Sequence, residues 1–200
     1  MLNLSVKNLN KCFKNELILD DVCLDLKEGD IILIKGKNGS GKSTLLKILC
    51  DILTYDSGVI NYTSRKIGAL IENPGFIESE SIAYNLRDLC CSKKYDENRV
   101  IELCGLFNLS YKDRTKLSNY SLGMRQKVGI IQALINDYDY LYLDEPIRGL
   151  DKDSIETFVK IMNEQAKNHI TIIASHDALE GICFSQKYEM IKGKLSLIKE

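Results

Sequence analysis

The sequence predicts an α/β fold with a helical block set into it, and three observations carry that prediction. Short apolar runs of the buried-strand kind recur at Ile31–Ile34, Tyr140–Leu143 and Ile170–Ala174. A Gly-rich turn at Gly36–Thr44 joins the first run to a helical pattern, Leu45-Leu-Lys-Ile-Leu49. Between about Ser79 and Phe107 the apolar residues fall three and four apart, which is helical spacing.

The elements follow in order. Leu2–Lys7 and Leu17–Leu26 alternate, as in Val22-Cys-Leu-Asp-Leu26, and read as antiparallel strands. Glu28-Gly29-Asp30 turns the chain into the Ile31 strand. A helix is predicted from about Lys42 to Asp51, a turn at Asp56-Ser57-Gly58, and strands at Val59–Tyr62 and Lys66–Ile71. Helices over Ser79–Lys94 and Glu97–Phe107 form the inserted block. Ser121 opens another helix that runs to about Asn136. After the Tyr140 strand comes an amphipathic helix at Ile155–Lys167, then the Ile170 strand and a hairpin from Tyr188 to Ile198 around Gly193. No repeat, low-complexity segment or Pro-rich linker interrupts the chain.

Composition bounds the function. A length of 200 residues suits one domain, 1–200, and 44% hydrophobic content supplies a core. The net charge of -1 and the absence of a Lys/Arg-rich block give no footprint for nucleic acid. The seven cysteines are odd in number and none are spaced as C-x-x-C, so reduced thiols in a cytoplasmic protein are expected. The adjacent pair Cys90-Cys91 reads as helix packing. The first residues carry no signal-peptide apolar region, and no run approaches the roughly 20 apolar residues a membrane helix needs. Work at a membrane would require a separate chain to span it.

The Gly36–Thr44 turn reads Gly-Lys-Asn-Gly-Ser-Gly-Lys-Ser-Thr, a phosphate-binding loop in its required strand–turn–helix setting. Gly36, Gly39 and Gly41 allow the backbone to curl, and the N–H groups of Asn38, Ser40 and Thr44 lie in the same cradle. The helix N-terminus adds partial positive charge. Lys42 can reach the β- and γ-phosphates, and the Ser43 hydroxyl can hold Mg²⁺. A bare Gly-rich turn has no need of Lys and Ser at those two places.

The Tyr140 strand ends in Asp144-Glu145-Pro146, at the sheet edge where ligands bind. Asp144 there can hold Mg²⁺ through water, and Glu145 can act as general base for an attacking water. His176 follows the Ile170 strand at the same edge, where an imidazole can hydrogen-bond a γ-phosphate. His169 sits at a helix–strand turn and takes no role. Ser121 and Gly123, in Tyr120-Ser-Leu-Gly-Met-Arg-Gln126, open a helix and offer a second anion site. Two anion sites so far apart in sequence suggest that the second serves a neighbouring subunit's nucleotide.

Taken in order, the phosphate loop, Ser121–Gln126, Asp144-Glu145, Gly149-Leu-Asp151 and His176 resemble the ATP-binding cassette ATPases over essentially the whole chain. That resemblance implies a P-loop NTPase (RecA-like) core with an antiparallel β subdomain and a helical subdomain inserted at about 77–120. It implies an ATPase using ATP and Mg²⁺, coupled to transport through a separate transmembrane permease. It implies a head-to-tail dimer, with itself or a homologous subunit, holding two ATP molecules between phosphate loop and opposite signature. Phe13 sits where the family stacks an aromatic ring on adenine, and Gly149-Leu-Asp151 resembles the loop that meets the opposite subunit. No nucleic acid partner follows from it. The protein would lie in the cytoplasm, on the inner face of the cell membrane.

Two departures from the family pattern are informative. The signature reads Tyr-Ser-Leu-Gly-Met rather than Leu-Ser-Gly-Gly-Gln, and Glu72 replaces the usual Gln of the central loop. Both variants resemble the bacitracin-resistance and lantibiotic-immunity exporters, whose members usually carry more chain after the final hairpin than this one, which stops at Glu200. Glu72 would add a carboxylate beside Mg²⁺, ligating it through water or making the site more demanding of metal. Lys37, where Pro is common, leaves the glycines untouched. Two other readings stay open. A cytosolic switch of the chromosome type would need a long heptad coiled coil, and one of the translation type would need two cassettes in one chain. A small kinase or GTPase on the same loop would leave Ser121–Gln126 unexplained. The substrate and the direction of transport are not written in this chain.

Overall fold

The computed structural model describes residues 1–72, 75–88, 96–135 and 137–198. Pro74, the Cys90-Cys91 pair, Glu200, and the predicted helix ends at Lys94 and Asn136 lie outside the described residues. The chain opens with strands β1 (Asn3–Phe13), β2 (Glu16–Lys27) and β3 (Ile31–Lys35), then helix α1 (Lys42–Leu49). Strands β4 (Ser57–Tyr62) and β5 (Ile67–Leu70) lead into helices α2 (Ile82–Asp88), α3 (Glu97–Leu106) and α4 (Leu122–Ile135). Then come β6 (Tyr140–Asp144), α5 (Lys152–Gln165), β7 (Ile170–Ser175), β8 (Gln186–Ile191) and β9 (Lys194–Leu197).

The strands form two sheets. An antiparallel sheet has the order β2-β1-β4, and a six-stranded sheet the order β5-β6-β7-β3-β8-β9. The second is parallel from β5 to β8, and β9 closes it as an antiparallel hairpin. The central strands are buried on both faces, which is why they read as unbroken apolar runs. Strand alternation sends Ile32, Ile34, Tyr140, Tyr142, Ile170 and Ile172 to one core and Ile31, Leu33, Leu141, Leu143 and Ile173 to another. The first core is completed by α1 and the antiparallel sheet. The second is completed by α2 to α5. Register then aligns the strand ends. Lys35 lies opposite Ser175, and Asp144 opposite Ala174, so the segments after β3, β6 and β7 emerge at one edge.

The structure shifts several predicted boundaries for local reasons. β1 continues past Lys7 to Phe13, because irregularities between Val6 and Cys12 absorb the break in alternation. Ser57 and Gly58, expected in a turn, start β4, because Ser57 pairs with Asn10. α5 starts at Lys152 rather than Ile155. The Asp151 carboxylate accepts the Ser154 N–H at 2.9 Å and the Ser154 hydroxyl at 2.7 Å, which caps the helix a turn earlier. Among the described residues, no helix is long and apolar enough to cross a membrane.

Candidate active site

The site is built at the shared edge. After β3 the chain bends through residues 36–41, and Gly41, with φ +111°, caps α1. A Cβ at Gly41 would lie 2.8 Å from the Ile18 carbonyl oxygen, so only glycine suits this bend. The first intrahelical bond runs from the Leu45 N–H to the Gly41 carbonyl at 2.9 Å. The N–H groups of Lys42 to Thr44 precede it and have no acceptor of their own in the helix, the condition for an anion site. Lys42 is buried, and its ammonium donates to the Gly36 carbonyl at 2.7 Å and the Lys37 carbonyl at 3.3 Å.

Two carboxylates face this loop from the end of β6. Asp144 is buried, and burial pushes its carboxyl above the usual carboxylate range. The Ser43 hydroxyl beside it pulls the other way, and Glu145 adds to the rise. Its Oδ1 is a buried oxygen without a hydrogen-bond donor. A buried carboxylate oxygen left unpaired next to a serine hydroxyl fits a hard cation held through one carboxylate, one hydroxyl and substrate oxygens. No group of three or more acidic, His or Cys side chains is placed to hold a metal among the described residues. The Asp144 oxygen and Ser43 hydroxyl fit Mg²⁺ bound together with a phosphate.

Glu145 has a left-handed backbone, φ +47°, fixed by its N–H bond to the Ala174 carbonyl at 2.8 Å. Its carboxylate is surrounded by donors. The Ser175 hydroxyl lies at 3.1 Å, the His176 N–H at 3.0 Å, the His176 Nδ1 at 2.8 Å and the Lys42 ammonium at 3.7 Å. The hydrogen bond and charge of Glu145 raise the His176 pKa above its ordinary value. Lys42, Glu145 and His176 thus form one chain of contacts across the edge.

A cavity of about 490 Å³ opens beside these groups, a size suited to a nucleotide. Of the predicted residues it gathers Phe13, Asn38, Gly39, Ser40, Gly41, Lys42, Ser43, Thr44, Glu72, Asp144 and Glu145 in its wall. Phe13 is half-exposed there, with the Lys11 ammonium 5.1 Å from its ring centre. Gly36 starts the loop behind the wall. Glu72, with φ +55°, is turned to the Lys47 ammonium of α1 at 2.5 Å. It shares the cavity wall with Asp144, with its Oε1 paired to that lysine.

Ser121 and Gly123 are not brought into this wall. The Ser121 hydroxyl accepts the Met124 N–H at 3.2 Å and caps α4. Gly123 packs on the loop after Glu145: a Cβ there would come within 2.3 Å of the Gly149 carbonyl oxygen. Three wall residues carry no role from the sequence: Ile18, Arg148 and Gln126, the last residue of the Ser121–Gln126 signature. Gln126 is buried and donates to the carbonyls of Glu145 and Pro146, both at 3.0 Å. A polar residue on the inward face of an otherwise apolar helix was the available signal.

Comparison with known proteins identifies the family and the fold. The family described as ABC transporter matches residues 19–148. The chain is 30% identical over 207 residues to the lantibiotic transport ATP-binding protein SrtF of Streptococcus pyogenes, covering 98% of this chain and 90% of that one. It is 30% identical over 191 residues to the bacitracin transport ATP-binding protein BcrA of Bacillus licheniformis, covering 88% of this chain and 61% of that one. A solved ATP-binding subunit of an ABC transporter superposes with a TM-score of 0.86 at 25% identity, over 98% of this chain and 90% of that one. The architecture is that of the P-loop NTPase cassettes.

Proposed function

The chain belongs to the ABC transporter family as an ATP-binding ATPase subunit, and from that premise we propose that it drives a separate membrane permease to export a peptide antibiotic or similar compound. The observation that carries the proposal is the convergence of Lys42, Asp144 and Glu145 on one nucleotide-sized cavity. Peptide antibiotics as the transported class are supported by the lantibiotic and bacitracin transport relatives, and the export direction by the resemblance of the Glu72 and Tyr120–Met124 variants to the exporter branch. In this reading the helices between β5 and β6, about 77–120, form the subdomain that meets the permease. The chain then works peripherally at the cytoplasmic face of the cell membrane.

The residue roles are part of the same proposal. Phe13 offers a ring face to adenine. The N–H groups of 38–44 and the Lys42 ammonium take the phosphates, Lys42 leaving its carbonyl partners Gly36 and Lys37 to do so. Ser43 and Asp144 would hold Mg²⁺, which when bound neutralises charge on the β- and γ-phosphate oxygens. Glu145 accepts a proton from the attacking water. His176 fixes the Glu145 carboxylate and stands ready to donate to the γ-phosphate. Ser121 and Gly123, outside this wall, serve the nucleotide of a second subunit in a head-to-tail dimer. Glu72 would join Ser43 and Asp144 in holding Mg²⁺ through water, giving up Lys47 to do so.

The test of transport is cellular. In a strain lacking this chain, sensitivity to bacitracin and to a lantibiotic should rise several-fold, and Glu145→Gln should fail to restore resistance. Unchanged sensitivity to such peptides, with the purified chain still hydrolysing ATP, would reject the export reading and leave the ATPase.

A further inference from the structure

We propose that Arg148 is a further γ-phosphate ligand, a cation that the fold presents to its own nucleotide cavity. The proposal rests on the nucleotide reading above and goes beyond it, because none of the motifs that define that reading includes Arg148.

Five charged residues line the cavity: Lys42, Glu72, Asp144, Glu145 and Arg148. Four of them are engaged. Lys42 bonds two loop carbonyls and faces Glu145, Glu72 pairs with Lys47, Asp144 meets Ser43, and Glu145 meets His176. The Arg148 guanidinium is exposed and has no hydrogen-bond or ion-pair partner among the described residues, although three carboxylates share its cavity. An arginine in such company ordinarily takes a carboxylate. Its freedom leaves five N–H donors for an incoming anion.

The turn that carries Arg148 is held on every side. Its N–H bonds back to the Glu145 carbonyl at 3.2 Å, and the Leu150 N–H bonds to the Ile147 carbonyl at 3.1 Å. Pro146 is buried, and Ile147 and Leu150 pack on the core below the sheet. Gln126 clamps the carbonyls of Glu145 and Pro146 from one side. Gly149 rests against Gly123 on the other, and Lys127 holds Asp151 at 2.8 Å. The guanidinium therefore swings from a fixed base three residues beyond Glu145. The held turn fixes where Arg148 leaves the backbone, at the cavity wall beside Glu145, and the unpaired guanidinium is free to meet charge at a terminal phosphate there.

The test compares nucleotides that differ only in the terminal phosphate. Calorimetry would measure ADP and the β,γ-imido analogue of ATP with Mg²⁺, at protein concentrations where gel filtration shows a monomer. Arg148→Ala should weaken the analogue about tenfold, the low end for a hydrogen bond to a charged group, and leave ADP within about twofold. Arg148→Lys should fall between, since it keeps the charge and loses the fork. Equal losses for both nucleotides, no loss for either, or a loss seen only in the dimer would each overturn the assignment. A wild-type chain that binds neither nucleotide would sink the cavity reading itself, and Arg148 with it.

Discussion

His176 and Glu145 are joined twice: the His176 N–H donates to Glu145 Oε1 at 3.0 Å, and its Nδ1 lies 2.8 Å from Oε2. The two come from the ends of neighbouring strands, β7 and β6. Parallel register aligns those ends, and the left-handed backbone of Glu145 turns its side chain across the gap. The pair makes the proposed general base and the histidine beside it a single unit.

That pairing has a pH signature. Glu145 raises the His176 pKa, so the folded protein holds the proton to a higher pH than the unfolded chain, whose histidine titrates near about 6.5. The charged pair stabilises the fold fully below that ordinary value, and its contribution is lost as pH climbs through the folded value. The His176 ring signal in an NMR titration should therefore move with a midpoint above the ordinary one, and Glu145→Gln should return it downward. A midpoint unmoved by Glu145→Gln would break the proposed pair.

Gln126 is expected to matter for both stability and turnover. Gln126→Leu leaves the Glu145 and Pro146 carbonyls without their donor, at a cost of about 1–3 kcal/mol. Urea unfolding should read that loss. ATPase turnover should fall further than nucleotide affinity, because Glu145 is displaced while the phosphate loop is intact. Gly123→Ala should be comparable, roughly 1–3 kcal/mol, because its methyl meets the Gly149 carbonyl. Wild-type stability in both variants would contradict the close docking of α4 on the loop after β6.

Much of the site was readable in the sequence, because its parts are local strings at strand ends. The phosphate loop needs only its own nine residues, and Asp144, Glu145 and His176 need only the apolar runs before them. What the sequence hid depends on contacts between distant segments. Gln126 meets residues 19 and 20 positions away, and Ile18 enters the wall only because β2 passes under Gly41. Glu72 does share the cavity wall with Ser43 and Asp144, as an acid near Mg²⁺ would. Its pairing with Lys47 follows from α1 lying beside the end of β5, which no spacing rule displays.

Glu72 can be tested against that pairing. Glu72→Ala should cut ATPase turnover at least about tenfold, or about 1.4 kcal/mol of barrier, while Glu72→Gln retains much of the activity. The two variants should be assayed across a Mg²⁺ titration. Wild-type rates in the Ala variant at every Mg²⁺ concentration would leave Glu72 as the partner of Lys47 and no more.

Lys42 and Ser121 should separate in binding. Lys42→Ala removes the buried ammonium of the phosphate loop and should weaken ATP by at least about tenfold. Ser121→Arg lies outside the cavity wall and should leave monomer binding unchanged while blocking turnover. Equal losses of affinity in the two variants would contradict a second anion site that acts on a neighbouring subunit.

The most direct test is gel filtration of Glu145→Gln with Mg-ATP, run beside an ATPase assay. The amide keeps the shape of the carboxylate and removes its basicity, so nucleotide should bind without being cleaved. The account predicts a hydrolysis-dead variant that elutes as a dimer with ATP and as a monomer without it. A Glu145→Gln chain that stays monomeric and hydrolyses ATP at the wild-type rate would contradict it.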